Sequence, residues 1–363
     1  MNDKTIGIIG AGISGLHTAY ELAKKGKPFI LFEARKRVGG RINSPAANSN
    51  LAQFDIGPSW FWPGQTHIEG LVSELRLDTH VFKQYASGDA LYEPMDGELK
   101  RGVGGISMAG SNRMHGGLQT ITEALRKEIT GLAGKDSIKL DKAIESISLS
   151  NAGVTVKAAT EDCWQCDKVV LALPPRVAIE LISFSPKLTH ERQKALSNVA
   201  TWMAGHAKVM ILYKRPFWRS NGLSGDVVSQ LGPLSELHDA SPIDADKIGC
   251  YALFGFFSTP PSHRADDKAI IETQIITQLT RFLGSEAASP IEIIYKDWAR
   301  DKFTSSQLDQ NIPNHHPSNY WDSRLEEHWQ ERLIWSGSES SEGHYNGYIE
   351  GAIIASNAAL KLL

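Results

Sequence analysis

Residues 6–15 read Ile6-Gly7-Ile8-Ile9-Gly10-Ala11-Gly12-Ile13-Ser14-Gly15. A short apolar run, Ile6 to Ile9, meets three glycines in the spacing G-x-G-x-x-G. From Ser14 to Lys25, Leu16, Ala19, Tyr20 and Ala23 recur at the spacing of one helix face, and Gly26 predicts the stop. Phe29 to Phe32 predicts a second strand that ends at Glu33. Strand, turn, helix and strand within about 30 residues form the unit of a parallel dinucleotide-binding sheet.

Each residue of this unit has a physical task. Gly10 allows the tight turn, and Gly12 lets the backbone approach a pyrophosphate. Gly15 and Ala19 let helix and strand pack closely. The helix N-terminus offers free N–H groups and partial positive charge to a phosphate. Glu33 is placed to accept hydrogen bonds from a ribose diol. The fingerprint alone does not separate FAD from NAD. The stretch Glu33-Ala34-Arg35 through Val38-Gly39-Gly40-Arg41 adds a basic, doubly glycine turn, with Arg35 and Arg41 expected near the phosphates.

Composition bounds the rest. The chain has 363 residues, 38 basic and 41 acidic side chains, and a formal charge of −3. At roughly 150 residues per domain this length predicts about two domains. With 41% hydrophobic residues there is material for a sizeable core, which excludes wholesale disorder. Near-neutral charge leaves no electrostatic footprint for nucleic acid. No apolar run is long enough to predict a membrane span. Met1-Asn2-Asp3-Lys4 runs straight into a strand, which leaves no room for a signal peptide, and the expected compartment is the cytoplasm. Cys163-Trp-Gln-Cys166 has redox or zinc spacing but no second pair, so both thiols are expected to be structural. His315-His316 sits in a polar stretch without carboxylate or cysteine partners, and no metal is expected there.

Further elements follow from periodicity and punctuation. Helices are predicted at Leu71 to Leu77, Leu118 to Ile129, Ala269 to Leu283 and Tyr348 to Leu362. Strands are predicted at Ile144 to Leu149, Val154 to Ala158, Lys168 to Leu173, Ala207 to Tyr213, Cys250 to Phe257 and Leu333 to Trp335. Residues 83–111 read as turn-rich. Lys208 lies inside an apolar strand, where a lysine must snorkel, pair or face a cavity.

With these residues in view, the chain resembles the flavin-containing amine oxidase family. The likeness rests on Gly10 to Gly15, on Glu33 to Arg41, and on Asp55-Ile56-Gly57-Pro58-Ser59-Trp60. It continues through Ala172-Leu-Pro-Pro175, Lys208 before Pro216-Phe-Trp218, Trp298, Gly337-Ser-Glu339 and Gly347-Tyr348-Ile349-Glu-Gly-Ala352. The resemblance implies an α/β fold with a Rossmann-like FAD-binding domain and an inserted α+β substrate domain. It divides the chain into FAD segments 1–75, 112–184 and 299–363, and a substrate domain of 76–111 plus 185–298. It implies that Ala11 and Ser14 belong to the phosphate turn and that Ile144 meets the adenine. Gly57, Pro58, Ser59, Trp60 and Trp298 would then lie beside the flavin, Gly337 and Glu339 near the ribityl-pyrophosphate, and Tyr348 and Ile349 at its pyrimidine end. Lys208 takes the family's place beside flavin N5, on the oxygen side, and Tyr348 that of one aromatic wall around the substrate amine. The expected partners are a small amine and molecular oxygen.

The sequence also departs from the family. By register, Gln307 and Leu308 fall where mammalian monoamine oxidases carry a flavin-linking cysteine and a second aromatic wall, so noncovalent FAD is expected. The second wall is missing unless Tyr320 or Trp321 reaches in. Pro58 stands where a second glycine is usual, and no membrane tail of the mitochondrial kind is expected. Two other readings share the fingerprint. One is an FAD-dependent desaturase of a carbocycle, porphyrinogen or carotenoid-like substrate, and the other is a flavin-binding protein without turnover.

Overall fold

The computed structural model describes residues 5–48, 52–102, 107–264, 266–313, 329, 332–341 and 343–363. The chain begins with β1 (Ile6–Ile9), α1 (Ile13–Lys24), β2 (Phe29–Phe32), α2 (Thr66–Glu74), β3 (Val81–Lys83), β4 (Asp89–Glu93), β5 (Lys100–Arg101), β6 (Asn112–Met114) and α3 (Gln119–Ala133). It continues with β7 (Ile138–Lys139), β8 (Ile144–Ser150), β9 (Gly153–Ala158), β10 (Cys163–Cys166), β11 (Lys168–Leu171), α4 (Pro175–Leu181), β12 (Ser183–Ser185) and α5 (His190–Ser197). Then come β13 (Ala207–Tyr213), α6 (Phe217–Ser220), β14 (Leu223–Ser229), β15 (Leu234–Asp239), α7 (Ala245–Ile248), β16 (Tyr251–Phe257), α8 (Lys268–Leu283), β17 (Glu292–Asp297), β18 (Leu333–Trp335) and α9 (Ile349–Leu360).

One sheet runs β18-β11-β1-β2-β7, with every pair parallel. Helices α1, α3 and α9 pack together, and residues of all three share a core with β1, β2 and α2. The opposite face packs against β8, β9 and β10, with Phe32, Ile147, Val156 and Trp335 in the interface. A Gly15 Cβ would stand 1.9 Å from the Gly10 carbonyl oxygen. Only glycine permits that contact, so this spacing fixes how α1 leaves β1.

A second sheet runs β17-β13-β16-β15-β14-β4-β5. Its odd-numbered side chains on β13, Val209, Ile211 and Tyr213, join Leu253 and Phe257 under α8. On the other face Met210, Leu212 and Phe254 meet Phe54 and Ile56. Both faces of β13 are therefore covered, which is why it reads as a continuous apolar run. Each such Val, Leu, Ile or Phe contributes about 1.5–3 kcal/mol by leaving water. The loop carrying Asp55 to Trp60 is thus laid against the second sheet, with the nucleotide turn behind it.

Several expectations change in detail. The helix expected at Leu71 to Leu77 is Thr66–Glu74, and the chain turns out of it through Arg76 at φ 57°. Its first N–H groups are capped from far away: Glu350 accepts from His67 and Ile68 at 3.0 and 2.8 Å. The turn-rich stretch 83–111 contains β4, which pairs parallel with β14. The strand expected to reach Leu173 ends at Leu171, because Pro174 caps α4 and Pro175 takes its first position. Cys163 and Cys166 are free thiols on β10, one exposed and one buried. Among the described residues no helix is long and apolar enough to cross a membrane. His315, His316, Tyr320 and Trp321 lie outside the described residues.

Candidate active site

Three groups of the expected site residues come together. The first surrounds the turn after β1. Glu33 is buried and clamped by backbone: its Oε2 accepts from Ala11 N–H and its Oε1 from Arg35 N–H, both at 2.9 Å. Gly10, Glu33, Ala34, Arg35 and Ile144 line one cleft, walled by Ile9, Phe32, Leu173, Val177, Leu181, Ile182 and Phe303. An apolar slot with one fixed carboxylate, able to accept from a ribose diol, suits an adenosine. In front of Gly12 there is open space, since a Cβ there would meet nothing within 4 Å. Gly40 closes in behind it, its virtual Cβ 3.2 Å from the Gly12 Cα. These residues fit the nucleotide half of FAD.

The second group lies beside α1. Ser14 Oγ stands 2.9 Å from Ser336 Oγ. Arg41 Nη2 donates to Ser338 Oγ at 2.9 Å and to Glu339 Oε2 at 3.0 Å, and Nη1 pairs with Oε1 at 2.7 Å. The Gly347 N–H donates to the Ser338 carbonyl at 3.2 Å, which places this turn against the start of α9. Tyr348 caps α9, half-exposed, its ring edge-on to Tyr345 at 6.0 Å, and Ile349 opens the helix.

The third group is built on the second sheet. Lys208 is buried, and its Nζ donates to the Gly57 carbonyl at 2.8 Å and to Ser59 Oγ at 2.6 Å. The same Nζ lies 4.1 Å from the Phe254 ring centre, 5.5 Å from Phe256 and 6.0 Å from Trp60. Burial pulls its pKa down to about 7, with Arg113 adding to the fall and Asp55 and Glu236 opposing it. Trp298 belongs to the same wall, donating from Nε1 to the Ile56 carbonyl at 2.8 Å. Asp55 is buried with Oδ1 accepting from Ser44 Oγ and Leu118 N–H, and burial pushes its carboxyl up. Pro58 holds the backbone between the two Lys208 acceptors.

Arg35, expected beside the phosphates, lines the nucleotide cleft and is also held by Asp301 and Thr304. Arg41 is tied to Glu339, so the pair acts as one unit. Gly57 is needed for chain crossing, since its Cβ would meet the Arg41 carbonyl oxygen at 2.0 Å. Gln307 and Leu308 lie against α4: Gln307 N–H donates to Glu180, and the Leu308 side chain is exposed. Sequence reading missed Phe254 and Phe256, whose i, i+2 spacing inside an apolar strand sets both on the Lys208 face.

Comparison with known proteins agrees with this geometry. Residues 89–359 match the family described as flavin containing amine oxidoreductase, and residues 8–75 match an NAD(P)-binding Rossmann-like domain. The amine oxidase [flavin-containing] B of Sus scrofa is 22% identical over 98% of this chain and 85% of its own. Putrescine oxidase of Kocuria rosea is 23% identical over 83% of each chain. Among solved structures, cyclohexylamine oxidase from Brevibacterium oxydans IH-35A superposes with a TM-score of 0.80 at 18% identity, covering 99% of this chain and 98% of its own. The nucleotide turn, the buried lysine and a family match across about three quarters of the sequence together show that the chain belongs to the flavin-containing amine oxidase family, whose cofactor is FAD.

Proposed function

We propose that this chain oxidises a small amine at the carbon next to nitrogen, using noncovalent FAD and molecular oxygen. The observation that carries the reading is Lys208, a buried amine held by two neutral acceptors on an aromatic wall. Gly10, Ala11, Gly12, Ser14 and Gly15 would hold the pyrophosphate, Glu33 the ribose, and Ala34 and Ile144 the adenine side. Gly337, the Arg41–Glu339 pair and the first turn of α9 would hold the ribityl and pyrimidine end. Bound there, FAD would supply hydride acceptance from the amine carbon and two-electron reduction of oxygen to hydrogen peroxide.

The chain's own residues do the rest. Trp60, Phe254, Phe256 and Trp298 exclude water and favour an amine nitrogen near ring faces. Two N–H groups of Lys208 are held by Gly57 and Ser59, so a third position on Nζ carries either a proton or a lone pair. With a pKa of about 7, that proton is held or released near neutral pH. Tyr348 supplies an exposed ring at the mouth of α9. In this reading segments 1–75, 112–184 and 299–363 hold FAD, while 76–111 and 185–298 shape the substrate side.

Anaerobic mixing with an amine panel tests the proposal: an amine substrate bleaches the bound flavin, and air restores the colour with peroxide. Flavin that no amine bleaches, but a carbocyclic desaturation substrate does, would replace the amine reading. Acid precipitation should release FAD to the supernatant; flavin retained in the pellet would overturn noncovalent binding.

A further inference from the structure

Trp60 stands on the Lys208 wall with its ring packed among others. It meets the His238 ring edge-on at 5.3 Å and Phe254 at 5.0 Å, and Lys208 Nζ lies 6.0 Å from its centre. His238 is itself fixed, with Nδ1 2.7 Å from Asp226 Oδ1 and Nε2 in contact with Glu236 Oε1. Ring contacts of this kind are spread over many weak atom pairs, so they set the depth of the indole more than its angle. The one directional bond an indole can make is through its N–H. Here Nε1 donates to Gln84 Oε1 at 3.0 Å.

Gln84 is held as tightly as the ring it meets. It directly follows β3, and its backbone N–H extends the pairing with β6 by donating to the Ser111 carbonyl at 3.0 Å. Its side chain is buried, and Nε2 donates to the carbonyls of Tyr85 at 2.9 Å and Asp239 at 2.7 Å. Both amide N–H groups are thus used, so the amide oxygen must face Trp60. Turned over, the amide would set N–H against N–H and its oxygen against two carbonyls. Behind it Asp239 is anchored by charge. Its Oδ2 accepts from Trp218 Nε1 at 2.8 Å and Arg219 Nε at 2.7 Å, and its Oδ1 from Arg219 Nη2 at 2.9 Å and Ser241 N–H at 2.8 Å. Arg113 takes the next two carbonyls, of Ala240 and Ser241. The bracket therefore ties the indole to a turn of the second sheet that has little freedom to move.

We propose that Gln84 is a positioning residue, whose amide fixes the angle of the Trp60 ring beside the flavin and so the space in which the amine carbon meets it. The inference rests on the amine-oxidising reading and adds a residue to it. Gln84 acts through Trp60, so its effect on rate passes through the indole N–H. A misplacement of about 1 Å near the reacting atoms costs roughly 100-fold.

A double-variant cycle on the FAD-loaded enzyme separates this from a structural role. Gln84→Met keeps length and volume and withdraws the acceptor and both donors. Trp60→Phe keeps a ring and removes the N–H. With Trp60 present, Gln84→Met should slow flavin reduction by saturating cyclohexylamine about 10- to 100-fold. With Trp60→Phe it should change that rate less than about twofold, while the loss of thermal stability from the stranded Tyr85 and Asp239 carbonyls stays the same in both backgrounds. Equal rate losses in the two backgrounds overturn the proposal. The visible circular dichroism of bound FAD reads the ring without an amine. It should change with Gln84→Met only where Trp60 is present, and a change in both backgrounds or in neither overturns the proposal as well. If Gln84→Met does not fold, Gln84→Glu carries the test. A protonated carboxyl accepts from the indole and donates to one carbonyl, whereas a carboxylate donates to none. Its reduction rate relative to the parent should therefore recover as pH falls, and only with Trp60 present. A flat ratio, or the same recovery in Trp60→Phe, overturns the proposal. Coupling in the dichroism without reduction by any amine removes the oxidase reading and leaves the positioning. Amine reduction without coupling removes the positioning alone.

Discussion

Lys208 donates from Nζ to the Ser59 hydroxyl at 2.6 Å, across 149 residues of chain. This bond joins an interior strand of one sheet to the loop that follows the nucleotide turn. Its strength depends on the proton count of a group that burial has made reluctant to carry charge.

That reluctance makes stability depend on pH. In the unfolded chain the amine stays protonated to about 10.4. In the folded chain its pKa falls to about 7. Between these values the unfolded state binds the extra proton, so stability rises with pH, by up to roughly 1.4 kcal/mol per unit. Urea unfolding of the apoprotein from pH 7 to 10 should show this rise in the parent and lose it in Lys208→Met. Parallel curves would mean that the amine stays charged in the fold.

Lys208→Met keeps length and apolar packing and removes only the charge and its hydrogen bonds. Oxygen reoxidation of reduced flavin should slow roughly 100- to 1000-fold, the usual effect of losing one electrostatic stabiliser. Reduction by substrate should suffer less. Stopped-flow traces of the two half-reactions decide it, and equal reoxidation rates would leave Lys208 a structural lysine.

Two glycines of one motif should fail in opposite ways. Gly12 has φ −69° and ψ 177°, which any residue adopts, and open space where a Cβ would be. Gly12→Ala should unfold within about 0.5 kcal/mol of the parent yet bind FAD at least about tenfold more weakly, roughly 1.4 kcal/mol. Gly15→Ala drives a Cβ into the Gly10 carbonyl and should destabilise the protein before any cofactor is added. Thermal melts of both apoproteins, with FAD titrations, check the contrast.

Glu33 holds the turn from both sides, and the proposed reading gives its remaining lone pairs to the ribose. Glu33→Ala should weaken FAD binding about 10- to 100-fold, since a hydrogen bond to a charged group contributes roughly 1.5–3 kcal/mol. Apoprotein titrated with FAD measures it, and an unchanged affinity in a folded variant would mean the cleft holds something else.

Arg41→Ala strands Glu339, whose side chain is fully buried. Breaking a buried pair from one side costs about 3–5 kcal/mol. Arg41 is one-quarter exposed, which puts the loss at the low end of that range. Adding Glu339→Gln should return part of it. A double variant no more stable than Arg41→Ala would place the damage in the backbone of the turn.

The nucleotide half was legible because its signals are local. Turn, helix and Glu33 lie within a few dozen residues, and each glycine has a steric reason visible in the motif. The second sheet was harder to read. Leu223–Ser229 and Leu234–Asp239 carry Asp226, Glu236 and His238, and so many polar residues blur the strand alternation. They lie in strands because they satisfy one another across the ladder, a fact no single stretch contains. Strand β4 was hidden for the same reason, since its partner β14 lies more than a hundred residues away. The protein partners of Arg35 were hidden too, because Asp301 and Thr304 are distant in sequence.

The cofactor cleft is also a statement about time. Strand β11 sits between β1 and β18, Ser14 meets Ser336 across 322 residues, and Arg41 finds Glu339 just beyond. A ribosome must deliver nearly the whole sequence before the first turn acquires its neighbours. Until then the apolar edge of β11 and the glycine turn stand open, the kind of exposed surface that chaperones recognise. Cofactor loading is therefore a late event in the life of the chain, and nascent fragments that already carry the entire G-x-G-x-x-G motif should not retain FAD.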